Sequence, residues 1–235
     1  SYTIFSYPII KFESDEKLIL SFDDLNTENQ VFDYYYTFIH CNSDWSQSEL
    51  FFTDYCSGFE QNKIYSYSNS FNTQTKYVNY NVEFPNEDVN FLMSGNYVIL
   101  IFRDANPEDT VLTKRFSIYE NTATIDAQVK ASTLSNMRTT SQEVIFTVRS
   151  AEFSKINPFQ YVNVSVLQNN RPDMAKTNLK PRHIKGNELI FDDQYINIFP
   201  GGNEFRYFDT KNIRYKTEKV MEIRPIEKDY YFILV

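Results

Sequence analysis

From residue 77 to residue 84 the chain alternates without a fault. Val78, Tyr80, Val82 and Phe84 fall on one side, and Tyr77, Asn79, Asn81 and Glu83 on the other. A period of two is that of a strand with one face on a core and one toward solvent. Related patterns recur every ten to twenty residues. Residues 97–102 (YVILIF) are apolar on both faces, which predicts a central strand covered on both sides. Val111, Thr113, Arg115 and Ser117 alternate less cleanly with Leu112, Lys114, Phe116 and Ile118, and residues 104–109 between these two strands read as a hairpin loop. Further on, Val144, Phe146 and Val148 share a face, as do Val162, Val164 and Val166.

Composition points the same way. The chain carries 21 Phe and 18 Tyr but 5 Gly, and aromatic rings favour half-buried pleated surfaces. The expectation is an all-β protein. One strand pattern ends near Glu120-Asn121-Thr122 and a fresh one begins at Ala123. Each part is then near the roughly 100 residues of an immunoglobulin-like β-sandwich. The reading is two tandem sandwiches, residues 1–121 and 122–235, abutting stiffly because no Gly- or Ser-rich linker parts them. The abrupt Ser-Tyr-Thr-Ile start suggests a trimmed N-terminus, and the strand-like end at Asp-Tyr-Tyr-Phe-Ile-Leu-Val suggests that a further C-terminal region follows.

The formal charge of −8 disfavours nucleic acid, which needs a basic footprint, and docking on anionic lipid. No stretch reaches the roughly 18 apolar residues of a spanning helix, so direct membrane insertion is not expected. Cys41 and Cys56 could close a loop worth about 3 kcal/mol in an oxidising compartment; two separate buried thiols are the alternative. They are too few for a structural zinc site, and no His completes one.

Catalysis finds little footing. His40 and His183 are the only imidazoles, and there is no Gly-x-Ser-x-Gly elbow. His40 shares a strand face with Tyr36 and Phe38, which suits a structural role, and adjacent Cys41 points to the opposite face. The carboxylate pairs Asp23-Asp24, Asp192-Asp193 and Asp15-Glu16 select no glycosidase cleft. The run Asp104-x-Asn106-x-Glu108-Asp109 lacks the Gly and bidentate Glu of a calcium loop, and Gly201-Gly202 lacks the Lys-Ser/Thr of a phosphate loop. No catalytic residue, metal or cofactor is expected. The longest stretches without a strand pattern, residues 42–63 and 169–186, are of a length that is usually functional or disordered.

Several separated motifs carry a resemblance. They are Leu20-Ser21-Phe22-Asp23-Asp24-Leu25, the run Tyr34-Tyr35-Tyr36-Thr37-Phe38-Ile39-His40-Cys41 leading to Asp44-Trp45, Gly58-Phe59, and Ser70-Phe71-Asn72-Thr73. They continue through Tyr80 to Pro85-Asn86, Ser94-Gly95-Asn96-Tyr97-Val98 and Val111-Leu112-Thr113-Lys114-Arg115-Phe116. The last is Ile198-Phe199-Pro200-Gly201-Gly202-Asn203-Glu204-Phe205-Arg206-Tyr207-Phe208-Asp209 with Arg214-Tyr215. Read physically, that last segment is a tight turn at Pro200-Gly201-Gly202 delivering an aromatic strand. Together these residues resemble the plug proteins of the type IX secretion system of Bacteroidetes.

The resemblance implies a non-enzymatic periplasmic monomer at the outer membrane. Such a protein occludes the periplasmic opening of the translocon barrel while no cargo-carrying partner is bound. The shared motifs read as structural, with Trp45 as a core anchor and residues 34–39 as a core strand. The partner contact is therefore placed on the two long loops, with Glu49, Asp54 and Glu60 as the contact residues. Asp109-Thr110-Val111 resembles the Bacteroidetes O-glycosylation sequon, which makes Thr110 a candidate modification site. The competing readings are a carbohydrate-binding module, which needs coplanar exposed Tyr or Trp rings, and a structural spacer.

Overall fold

The computed structural model describes residues 7–25, 30–201, 210, 212–217 and 220–234. Gly202 and the aromatic strand read at 203–209 lie outside these residues. The chain gathers into two compact units, one of residues 1–127 and 146–191, the other of residues 128–145 and 192–235.

The first unit opens with β1 (Ile9–Lys11), β2 (Leu18–Asp24) and β3 (Tyr34–Cys41). A one-turn helix α1 (Phe52–Tyr55) leads into β4 (Cys56–Gly58), β5 (Asn62–Lys63) and β6 (Ser66–Asn69). Then come β7 (Val78–Phe84), β8 (Val89–Phe91), β9 (Gly95–Arg103) and β10 (Thr110–Tyr119). The strands form a five-stranded sheet in the order β1-β10-β9-β3-β5, a three-stranded sheet β2-β7-β6 and the small pair β4-β8.

The two larger sheets share one core. Tyr34, Tyr36 and Phe38 from β3 join Tyr97, Ile99 and Ile101 from β9 and Phe116 and Ile118 from β10, opposite Val78, Tyr80, Val82 and Phe84 from β7. Rings interlock between the sheets: Phe38 lies 5.1 Å from Phe84, Phe84 5.1 Å from Phe116, and Tyr34 4.8 Å from Tyr80. Such ring pairs add about 0.5–1.5 kcal/mol each beyond the area they bury. The sheets are thus a β-sandwich sealed by aromatics.

A core this rich in tyrosine holds only if its hydroxyls find partners, because a buried unpaired polar group costs about 1–3 kcal/mol. The Tyr55 hydroxyl donates to the Phe38 carbonyl at 3.0 Å, that of Tyr97 to the Met93 carbonyl at 2.8 Å, and that of Tyr80 to the Phe32 carbonyl at 3.1 Å. Tyr34 donates to Asp24 at 3.0 Å, and Tyr36 accepts from the Asn86 amide at 2.8 Å. Burial pushes the Tyr55 phenol up to about 12 and that of Tyr97 higher still, so both stay neutral donors.

The β7 alternation is as expected: its one face is buried and its other is not. Residues 97–102 differ. They sit in the middle strand of the larger sheet, yet Val98 and Leu100 are only half-buried. The stretch 42–63 is also more ordered than its sequence suggests, holding α1, β4 and β5.

Later in the chain, β11 (Thr124–Ala131) is exposed along nearly its whole length on both faces, and β12 (Ser141–Arg149) follows it. A short helix α2 (Pro158–Tyr161), capped by the Asn157 side chain, ends just before the run whose face was read at Val162, Val164 and Val166. The strand itself, β13, is Val164–Val166. β14 (Lys176–Leu179) and β15 (His183–Lys185) lie within the expected loop 169–186. β16 (Glu188–Phe191) pairs antiparallel with β12, setting Phe146 opposite Phe191 with their rings stacked at 4.5 Å.

In the second unit, β17 (Ile198–Pro200) pairs with residues 141–143, and β18 (Val220–Ile226) pairs with β19 (Asp229–Leu234) as a hairpin. Val144 is half-buried where a core position was expected, and the neighbouring Glu143 is buried instead. Its carboxylate accepts from the Thr133 backbone N–H at 3.1 Å and the Thr133 hydroxyl at 2.8 Å, with Lys130 Nζ at 3.5 Å. Burial alone would raise its pKa; these partners outweigh that and hold it below the usual Glu value.

Candidate partner-binding surface

Several of the motifs behind the resemblance are packing devices. His40 on β3 sits against the rings of Tyr55 and Tyr97, at 5.7 and 5.1 Å, with Nδ1 2.9 Å from the Ser48 hydroxyl. Gly95 faces it at φ +151°, and a β-carbon there would come within 2.5 Å of His40 Nε2. Burial lowers the His40 pKa, so the ring is a neutral wedge in the fold. Asn86, after the Phe84–Pro85 cis bond, accepts from the backbone N–H groups of Asp88 and Val89 at 3.0 Å each, closing the turn into β8.

Trp45 is not the core anchor expected of it. It is half-buried at φ +69° in the turn after β3, with the Arg115 guanidinium 4.8 Å above its ring and Tyr7 at 6.4 Å edge-on. A cation over a half-exposed indole ties β10 to this turn. The single-tryptophan signal could not separate a core ring from a surface one.

Cys41 and Cys56 are both free and buried, so the disulfide weighed from the sequence is not formed here, and the separate thiols of the alternative are what is present. Burial pushes the Cys56 thiol up to about 12 and raises that of Cys41 as well, which suppresses the nucleophilic thiolate.

At least one member of each carboxylate pair is engaged locally, while Asp192 buries an oxygen that has no hydrogen-bond partner among the described residues. Asp23 accepts from the Asn79 amide at 2.7 Å, Asp24 from Tyr34, Glu16 from the Lys11 backbone at 2.8 Å, and Asp193 from the backbone of Tyr195 and Ile196. His183 is exposed on β15. Residues 104–109 form the expected turn between β9 and β10, with Asn106 accepting from the Glu108 backbone. Among the described residues, no group of three or more His, Cys, Asp or Glu is placed to hold a metal ion, and no helix is long and apolar enough to cross a membrane. Thr110 is exposed at the start of β10, its hydroxyl donating to the Pro107 carbonyl at 2.7 Å.

Glu49, Asp54 and Glu60 are all exposed. They fall on one continuous segment that holds no basic residue from 42 to 62. Asp54 has a structural role that its sequence did not reveal. It sits at the third position of α1, and its carboxylate reaches back to the Phe51 backbone N–H at 2.8 Å while its own N–H donates to the Phe51 carbonyl at 2.9 Å. This reciprocal cap fixes Phe51, whose ring is 79% exposed. Phe59, 71% exposed, follows β4.

Comparison with known proteins places this geometry. Residues 2–120 match the family described as type 9 secretion system plug protein, first domain. A crystal structure of a hypothetical protein from Parabacteroides merdae superposes with a TM-score of 0.80 at 32% identity, covering 98% of this chain and 58% of that one. The chain thus spans somewhat over half the length of that relative. No curated protein matches.

Proposed function

This chain belongs to the type 9 secretion system plug protein family, and we propose that it is a non-enzymatic plug, closing the periplasmic opening of the outer-membrane translocon barrel while no cargo-carrying partner is bound. The family match over residues 2–120 is the observation that carries this reading. Placement in the periplasm at the outer membrane, action as a monomer and the division into sandwich domains 1–121 and 122–235 are parts of the same proposal.

The physics of the first region supports it. Closing a wide pore requires a body that does not deform under a neighbouring chain or a pressure of solutes. Close-packed cores transmit strain rather than absorbing it, and interlocked rings with hydrogen-bonded hydroxyls hold this sandwich in one arrangement. Burial raises the Cys41 and Cys56 thiols and so makes them poor nucleophiles, in keeping with a role played by shape and surface. Glu49, Asp54 and Glu60 are the proposed contacts, and Thr110, exposed at the start of β10, is accessible to the proposed glycosylation.

The test is capture of this chain by detergent-solubilised translocon barrel, with and without the lipoprotein that closes its lateral gate. The reading expects retention by the free barrel and release when the lipoprotein is bound. Equal retention in both states would remove the plug reading, and an intact mass equal to the bare sequence in native-host protein would remove the glycan.

A further inference from the structure

The sequence places Phe51 and Phe59 within the proposed contact segment but assigns them nothing. In the fold neither has a packing role: their rings are 79% and 71% exposed. Yet the backbone at both is fixed. Phe51 is held by the reciprocal cap with Asp54. Phe59 donates its N–H to the Asp88 carbonyl at 3.2 Å, and its own carbonyl accepts from the Asn62 amide at 2.8 Å. The preceding Gly58 sits at φ +98° with its α-carbon pressed to the Asp88 backbone, where a β-carbon would lie 2.0 Å from the carbonyl oxygen. Between them Tyr55 and Cys56 root the segment in the core, Tyr55 by its hydroxyl and by accepting the Leu92 N–H at 2.9 Å.

An aromatic ring held out into water on a fixed backbone loses little conformational freedom on binding, which is the property of an interface anchor. The two rings are about eight positions apart in the chain, at most about 28 Å when fully extended, so both fit within one protein interface of about 800 Å² a side. Glu49, Asp54, Glu60, Glu87 and Asp88 are exposed on this segment and on the β7–β8 turn against it. The charged residues of the run 42–62 and of this turn are all acidic, with Lys17 near Glu87.

We propose that Phe51 and Phe59 are the anchors of the partner contact, seated in apolar pockets of a protein surface rimmed by Lys and Arg that pair with the acidic fringe. This rests on the plug reading and names the chemistry of its contact. Rings at the centre would set the lifetime of the complex, and the fringe its rate of formation.

The test is binding of this chain to immobilised, detergent-solubilised translocon barrel by interferometry. Four proteins are compared: wild type, Phe51→Ser/Phe59→Ser, Glu49→Lys/Glu60→Lys, and Phe71→Ser as a control that removes a 92% exposed ring elsewhere. Each is first checked for an unchanged melting temperature, since none of these rings is buried. The expected results are at least about tenfold weaker binding for the Phe pair through faster dissociation, slower association for the charge reversals with the wild-type rate falling as salt rises, and no change for Phe71→Ser. Wild-type binding with the Phe pair unaffected would overturn the anchors and leave the plug reading standing. No wild-type binding would overturn the plug reading and the anchors with it.

Discussion

The two sequence regions on either side of residue 121 bury their aromatics in different ways. Before it, rings from β3, β7, β9 and β10 interlock across two sheets, so Phe38 alone meets Tyr36, Phe84, Phe91 and Phe116. Beyond it, among the described residues, Phe191 meets Phe146 in a single stacked pair, and β11 is exposed on both faces. One region is held by a network of apolar contacts. The other depends more on individual polar anchors, such as the buried Glu143. A network resists local deformation and a set of separate anchors does not, which is why the occluding role is argued from the first region.

Removing a ring from each side breaks this comparison most directly. Phe38→Ala should fall near the upper end of the about 3–5 kcal/mol that losing a buried Phe ring costs. Phe191→Ala, also 1% exposed, should fall at the lower end because fewer rings lose a neighbour. Urea unfolding read by Trp45 fluorescence reports the first region, since there is one Trp in the chain, while far-UV circular dichroism reports the whole. Equal losses for the two variants would contradict the contrast.

Gly58→Ala sharpens it within the first region. Positive φ and the Asp88 carbonyl together should cost about 2–3 kcal/mol, although no side chain is lost. A variant as stable as wild type in the same urea titration would mean that the β4–β8 pair yields freely. Glu143→Ala probes the polar anchor. It strips the Thr133 N–H and hydroxyl of their acceptor, for an expected loss of about 1–3 kcal/mol. Because the folded Glu143 pKa is depressed, its contribution is complete above the ordinary value of 4.5 and lost as pH falls through the lower folded value. Glu143→Gln should therefore flatten the acid side of the stability curve.

His40 gives the smallest effect. Its folded pKa is lowered by burial, so its contribution is present above 6.5 and lost as pH falls through the folded value. The wild-type melting temperature should drop modestly as pH is lowered from 6.5, with His40→Gln dropping less. Parallel curves would show that the wedge between Tyr55 and Tyr97 tolerates a charge.

How much of this was legible follows from the same contrast. Val78, Tyr80, Val82 and Phe84 announce their strand because a large apolar face opposite a polar one has one solution. Glu143 does not, since a carboxylate enters a core only when distant partners, here Thr133 and Lys130, are already in place. Trp45 misled because a large ring can serve as core or as a lid under Arg115. The stretch 42–63 looked like a loop because α1, β4 and β5 are each four residues or fewer, too short to show a period. Glu49, Asp54 and Glu60 were legible only as charges on a long stretch without a strand pattern; that Asp54 fixes Phe51 depends on a helix turn no pattern revealed.

The account stands or falls on occlusion, and ionic conductance through the translocon barrel in a planar bilayer measures it. With the gate-closing lipoprotein absent, adding this chain to the periplasmic side should reduce the barrel's conductance, and Phe51→Ser/Phe59→Ser should require a higher concentration to do so. A barrel that binds this chain yet conducts undiminished would contradict it.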